Sequence, residues 1–145
     1  LRRGTSERDG SAAESLSAAL ALWRGEPYAE LALHPLALVE VTRLRLLHMA
    51  ATEELNGIRL AGPVDYQLVA DLEAMTWRHP ERERLWRQLA LALYRSGRQV
   101  EALRVFARCR RAMGGVAEVL APESVRLERA IARQDPTLED GELTD

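Results

Sequence analysis

Arginine is the residue type in this chain most able to do chemistry: all 20 basic residues are arginine and none is lysine. A GC-rich coding bias accounts for that as well as a functional demand does. Arg104, Arg108 and Arg111 recur at i, i+4 and i+7, so a helix there carries all three on one face, with Arg87 and Arg98 nearby in sequence. A guanidinium presents its donors as a planar fork that matches a carboxylate, so the chemistry on offer is recognition of acidic groups. Catalytic constellations are poor. His34, His48 and His79 lie far apart with no H-x-x-x-H or C-x-x-C spacing, which argues against a metal site. His34 and His79 each precede a proline at a segment end, where a capping or surface role is expected. Cys109 is the single cysteine, so it has no internal disulfide partner, and it sits at a small-residue helix position where packing is expected over reactivity. The adjacent Glu53 and Glu54 read as a solvated face. No phosphate loop, dinucleotide fingerprint or serine nucleophile elbow occurs, so no enzyme and no cofactor is expected.

The charge is segregated along the chain. Residues 78–111 hold ten arginines against three glutamates, a balance of +7, whereas residues 25–77 and 118–145 each hold three arginines against eight acids, a balance of −5. Three explanations compete. The segments can neutralise one another within the fold, where surface pairs are worth about 0–1 kcal/mol each. The basic face can instead dock an acidic protein or a second copy. Direct nucleic-acid contact is the third, and a sequence pI near 6.0 with two acidic flanks disfavours it.

The element that must position these arginines is the stretch 81–113, which reads as two amphipathic helices joined at Ser96-Gly97-Arg98. Leu85, Trp86, Leu89, Ala92 and Leu93 form one apolar stripe; Val100, Leu103, Phe106, Ala107 and Arg110 follow the same period on the second helix. Trp86, Leu89, Ala90, Leu93, Ala102 and Phe106 fall on the six marked positions of the tetratricopeptide pattern. Small residues at 90 and 102 let the backbones approach. Gly97 supplies a left-handed turn at little steric cost.

Upstream, residues 1–10 are a polar remnant or linker, and Ser11 with Glu14 has the spacing of a capping box opening a helix to about Trp23. The connector 25–35 carries two prolines, while Tyr28, Leu31 and Leu33 call for burial. A long helix is predicted over residues 36–60, with Val39, Leu44, Leu47, Ala51, Leu55 and Ile58 inward. Another is predicted over 65–78 with Leu68, Leu72 and Met75 inward, so residues 49–80 read as an earlier repeat with poor matches at Thr52, Asn56 and Arg59. A last helix within 116–135, starting at Pro122 or Ser124, covers the hairpin. The tail 137–145 is acidic and expected to be disordered.

At 145 residues one domain is expected, burying roughly 68–70% of the surface its unfolded chain exposes. No apolar run is long enough for a membrane span and no signal sequence opens the chain, so a cytoplasmic protein without membrane contact is expected. The start at Leu1 without methionine marks an expected fragment. The predicted fold class is all-α: tetratricopeptide-like hairpin repeats in a short right-handed solenoid with a terminal covering helix, occupying residues 11–136.

Several segments resemble the bacterial transcriptional activator domain of actinobacterial regulators of the Streptomyces antibiotic regulatory protein type. These are Trp23-Arg24-Gly25, His79-Pro80, Arg82-Glu83-Arg84-Leu85, the run 91–103 and the closing Arg133-Gln134-Asp135-Pro136. Residues 113–125 depart from the family pattern, with Val119 where glycine is common. The resemblance implies a regulatory module that supports dimerisation or contacts RNA polymerase and its associated machinery. Promoter DNA would then be bound by a winged-helix domain outside this chain. On that reading Arg104, Arg108, Arg111, Arg87 and Arg98 form the partner-binding face. The alternative is a module that senses a ligand or peptide in a groove near Trp77, Trp86 and Tyr94 to control an attached effector domain.

Overall fold

The structure, a computed structural model, describes residues 2–25, 27, 35–114 and 119–139. Its helices are α1 (Arg2–Ala21), α2 (Pro35–Ala61), α3 (Tyr66–Arg78), α4 (Glu83–Arg95), α5 (Gln99–Ala112) and α6 (Pro122–Ala132), with a closing 3-10 turn at Pro136–Leu138. Among the described residues there is no strand, so the fold is all-helical. No helix among them is long and apolar enough to cross a membrane. The chain divides into two compact units, residues 1–58 and 59–145.

In the first unit α1 begins at Arg2, well upstream of the expected start at Ser11. The Ser11 carbonyl accepts a hydrogen bond from Ser15 Oγ at 2.8 Å, so Ser11 lies inside the helix and does not cap it. No proline interrupts residues 2–10, and nothing else there forces a stop. After the last turn Gly25 adopts φ +95°, a left-handed conformation that favours glycine. The Trp23 ring packs on His48 with centroids 4.2 Å apart. The connector residues Tyr28, Leu31, Leu33 and His34 lie outside the described residues.

α2 has the predicted extent, with Pro35 at its first position, but its inward face differs from the predicted one. Val39 and Leu47 are exposed, at 70% and 54%, whereas Val41, Met49, Thr52, Glu53 and Asn56 are buried. The cause is compositional. Apolar residues occur at nearly every phase of α2, so periodicity does not single out a face, and the face that is buried includes polar side chains. Glu53 is buried where a solvated face was predicted, and only its neighbour Glu54 is exposed.

The second unit is organised around α4, which packs against α3, α5 and α6. Nine of its 13 residues are buried, including Leu85, Trp86, Leu89, Ala90 and Leu93. A helix with neighbours on three sides buries more than one stripe. α3 starts where Asp65 caps it, its carboxylate accepting from Leu68 N–H at 2.7 Å. It buries Leu68, Leu72 and Thr76, with Met75 only half-buried. On α5 the buried set is Ala102, Val105, Phe106 and Cys109. The predicted stripe through Val100 and Ala107 is therefore rotated outward: Val100 is 62% exposed. The six repeat-pattern positions, in contrast, are all buried, none more than 5% exposed.

α4 and α5 meet at a tight paired-bond turn. Arg98 N–H reaches back to Leu93 O at 2.9 Å and Gly97 N–H to Tyr94 O at 2.9 Å, with Gly97 at φ +75°. No atom would crowd a Cβ at Gly97, so the cost of adding one is purely conformational. Gly97→Ala should therefore lose about 1–2 kcal/mol, read as a lower thermal midpoint with unchanged helicity.

The same turn geometry closes α6. Gln134 has φ 53° and donates to Ile131 O at 3.1 Å, while Asp135 N–H reaches Ala130 O at 3.0 Å. The Asp135 carboxylate then accepts from Thr137 N and Oγ1 at 3.0 and 2.7 Å, which pulls its pKa below the usual carboxylate range. The motif Arg133-Gln134-Asp135-Pro136 is thus a stop signal written in capping chemistry. Residues 136–138 form a 3-10 turn and Leu138 packs on the core. Residues 140–145 lie outside the described residues.

Candidate protein-contact surface

α5 owes its face of arginines to its period: with Ala102, Val105, Phe106 and Cys109 turned inward, positions 104, 108 and 111 must turn away from the core. The three do not have equal freedom. Arg104 and Arg111 are exposed; the Arg111 Nε donates to its own helix at Ala107 O, 3.3 Å away. Arg108 is committed inside the fold. Both of its terminal nitrogens bond the Glu73 carboxylate, one at 3.2 Å, and its guanidinium lies 5.4 Å from the Trp86 ring centroid and 6.0 Å from that of Trp77.

Arg98 and Arg87 are also engaged. Arg98 forks onto Glu101 at 2.8 and 2.6 Å, and that pairing raises the arginine pKa and lowers that of the carboxyl. Arg87 donates to Ser124 Oγ at 3.3 Å, linking α4 to α6. Arg110 makes a two-pronged pair with Glu128 on α6, one contact at 3.0 Å, and this raises its pKa. Intramolecular pairing therefore accounts for Arg98, Arg108 and Arg110 through carboxylates and for Arg87 through a hydroxyl. It leaves Arg104 and Arg111 facing solvent, seven positions and so about two turns apart.

The aromatic trio differs in exposure, and none of its members lines the groove between α3 and the hairpin. Trp86 is 5% exposed and its Nε1 donates to Pro80 O at 2.9 Å; Tyr94 is 8% exposed; Trp77 is 75% exposed, beside Arg108. Two of the three are core residues because α4 is covered on most sides. The groove between α3 and the hairpin has a cavity volume of about 610 Å³. Its apolar lining comes from Val69, Ala70 and Leu93, and its polar lining includes Arg98, Arg104 and Arg108. Val69, Ala70 and Glu73 escape a reading of the hairpin alone, because they belong to α3. The repeat register, which places one hairpin beside the preceding helix, was the available signal.

Cys109 has no place in this surface. It is buried with its Sγ 3.7 Å from Met113 Sδ, and burial, followed by the nearby Glu83 carboxylate, pushes its pKa up to about 12. A thiol held protonated at neutral pH is a packing group. His79 ends α3 by donating its backbone N–H to Met75 O, and its Nδ1 lies 3.8 Å from Glu81.

Residues 2–133 match the profile of the bacterial transcriptional activator domain. The chain is 41% identical over 123 residues to the regulatory protein AfsR of Streptomyces griseus, an alignment covering 82% of this chain and 12% of that protein. It is 36% identical over 131 residues to the regulatory protein DnrI of Streptomyces peucetius, covering 83% and 45% respectively. It is 35% identical over 130 residues to the transcriptional regulatory protein EmbR of Mycobacterium bovis, covering 86% and 32%. The chain thus spans less than half the length of each of these relatives. The profile is that of a transcriptional activator domain, and each of these relatives is a regulatory protein by name. The matched segment takes in every helix of the fold just described, and the chain belongs to the bacterial transcriptional activator domain family, in its Streptomyces antibiotic regulatory protein branch.

Proposed function

We propose that this domain is the protein-contact module of a transcriptional activator, and that Arg104 and Arg111 on α5 form the core of its contact surface. The partner is the transcription machinery, a second copy of the domain, or both in turn. DNA binding falls to a separate winged-helix domain of the full regulator, which places the protein in the cytoplasm. The observation that carries this reading is the division of labour among the arginines. Arg87, Arg108 and Arg110 tie one helix to another, Arg98 pairs locally with Glu101, and Arg104 and Arg111 on one face of one helix are exposed. Exposed guanidiniums on a rigid helix suit recognition of carboxylates on another protein.

The fold that carries this surface is proposed to be a short right-handed solenoid of tetratricopeptide-like hairpins. Support comes from the burial of the six pattern positions in α4 and α5, and of Met49, Thr52 and Asn56 at corresponding positions of α2. Here α6 takes the part of a covering helix.

Sedimentation velocity over a range of concentration and salt tests the self-association arm. A mass that rises with concentration and falls as salt screens the arginines is expected for a second copy. A monomer at every concentration would discard that arm and leave the surface to the machinery alone.

A further inference from the structure

Resting on the protein-contact reading, we propose that the groove between α3 and the α4–α5 hairpin is a docking site for a short partner peptide in which one carboxylate neighbours one apolar side chain. The argument is one of complementarity. The groove offers apolar surface from Val69, Ala70 and Leu93 beside three guanidiniums, those of Arg98, Arg104 and Arg108. Two of these are already matched inside the groove, Arg98 by Glu101 and Arg108 by Glu73. Three arginines against two glutamates leave a lining of net charge +1, and the exposed Arg104, which acts on Glu101 only through space, is the one without a hydrogen-bonded carboxylate.

That balance selects the ligand. A single carboxylate satisfies it, whereas a run of phosphates would meet Glu73 and Glu101 with only one free cation to offset their repulsion. A wholly apolar peptide would leave Arg104 desolvated without a partner. The volume of about 610 Å³ lies within the range of sites that take a few side chains. Tyr66, 89% exposed at the lip, adds a rigid aromatic face. Because Arg98 and Arg108 are held by their own pairs, the polar wall is ordered before the peptide arrives, which lowers the entropic cost of docking.

The test is selection from a displayed library of random octapeptides on the purified chain, run in parallel on the Arg104→Glu and Ala70→Trp variants. Ala70 and Arg104 are both exposed, so each variant should keep the fold, with circular dichroism as the check. The expected outcome is enrichment of peptides with Asp or Glu next to an apolar residue. A synthetic representative should bind about tenfold more weakly after its acid is changed to the amide, a similar loss should follow Arg104→Glu, and Ala70→Trp should fill the groove and abolish binding. No enrichment, enrichment without an acid, or binding indifferent to both variants would overturn the proposal. Competition by succinate at the peptide's own concentration would overturn it too, by assigning the groove to a small acid. Arg111 lies outside the groove, so Arg111→Glu separates the two readings: lost activation without any selected peptide leaves the contact surface standing and removes the groove.

Discussion

Phe106→Ala should lower the stability of the domain by about 3–5 kcal/mol. Phe106 is the only phenylalanine in the chain and is 1% exposed. It sits in the cluster formed by Leu89, Ala90, Leu93, Ala102 and their neighbours. Ala90 and Ala102 have no side-chain length with which to close a void, so the cavity left by the ring should stay largely open. Domains of this kind have about 5–15 kcal/mol to lose, so the variant should retain little of its margin at physiological temperature. Urea unfolding checks it: the midpoint should fall sharply while the dependence on denaturant stays constant. A loss below about 1 kcal/mol would mean that the helices collapse around the gap.

Arg95→Ala should cost about 3 kcal/mol, an effect of similar order from a different source. Arg95 belongs to the basic segment, yet it does not serve as surface charge. Its Nε donates to Leu138 O at 2.7 Å and its Nη1 to Leu60 O, so one guanidinium fastens the end of α2 and the closing 3-10 turn to the end of α4. Burial pulls its pKa below the usual arginine value, and the group stays charged at any physiological pH. Removing it strands a helix-terminal carbonyl that has no later N–H of its own helix to meet. Amide exchange at residues 137–139 should accelerate together with the fall in stability. Arg95→Lys should recover only part of both, because an ammonium does not span two separate carbonyls as a planar fork does. Unchanged exchange in Arg95→Ala would show that Leu138 is held by its apolar contacts instead.

What was legible in the sequence divides along physical lines. Helix extents were readable wherever punctuation is covalent or conformational: Pro35, the Asp65 cap, Gly97 and Pro122 each bound an observed helix. Facing was readable where a pattern recorded packing geometry, as at Ala90, Ala102 and Phe106. Simple periodicity failed on α5, where Val100 is exposed, because it ignores which side the next helix occupies. It failed on α2 because Thr52, Glu53 and Asn56 are buried despite their polarity.

The surface was legible only in part, for the same reason. Spacing put Arg104, Arg108 and Arg111 on one face but could not say that Glu73 lies opposite Arg108, since that pair joins residues 35 apart in the chain. Trp86 and Tyr94 carry the residue types of a binding groove, yet three-sided packing of α4 consumes them as core. Val69 and Ala70, which line the groove beside α3, have no chemistry to mark them in isolation.

Arg108 therefore makes a poor probe of function, because reversing it would also break its tie to α3. The most direct measurement is promoter activation by the full-length regulator carrying Arg104→Glu together with Arg111→Glu, with promoter occupancy and helicity followed in the same protein. Activation should fall at least about tenfold, equivalent to about 1.4 kcal/mol of lost contact, while occupancy and helicity stay at the parental level. Activation equal to that of the parent would contradict the assignment of this face to partner contact.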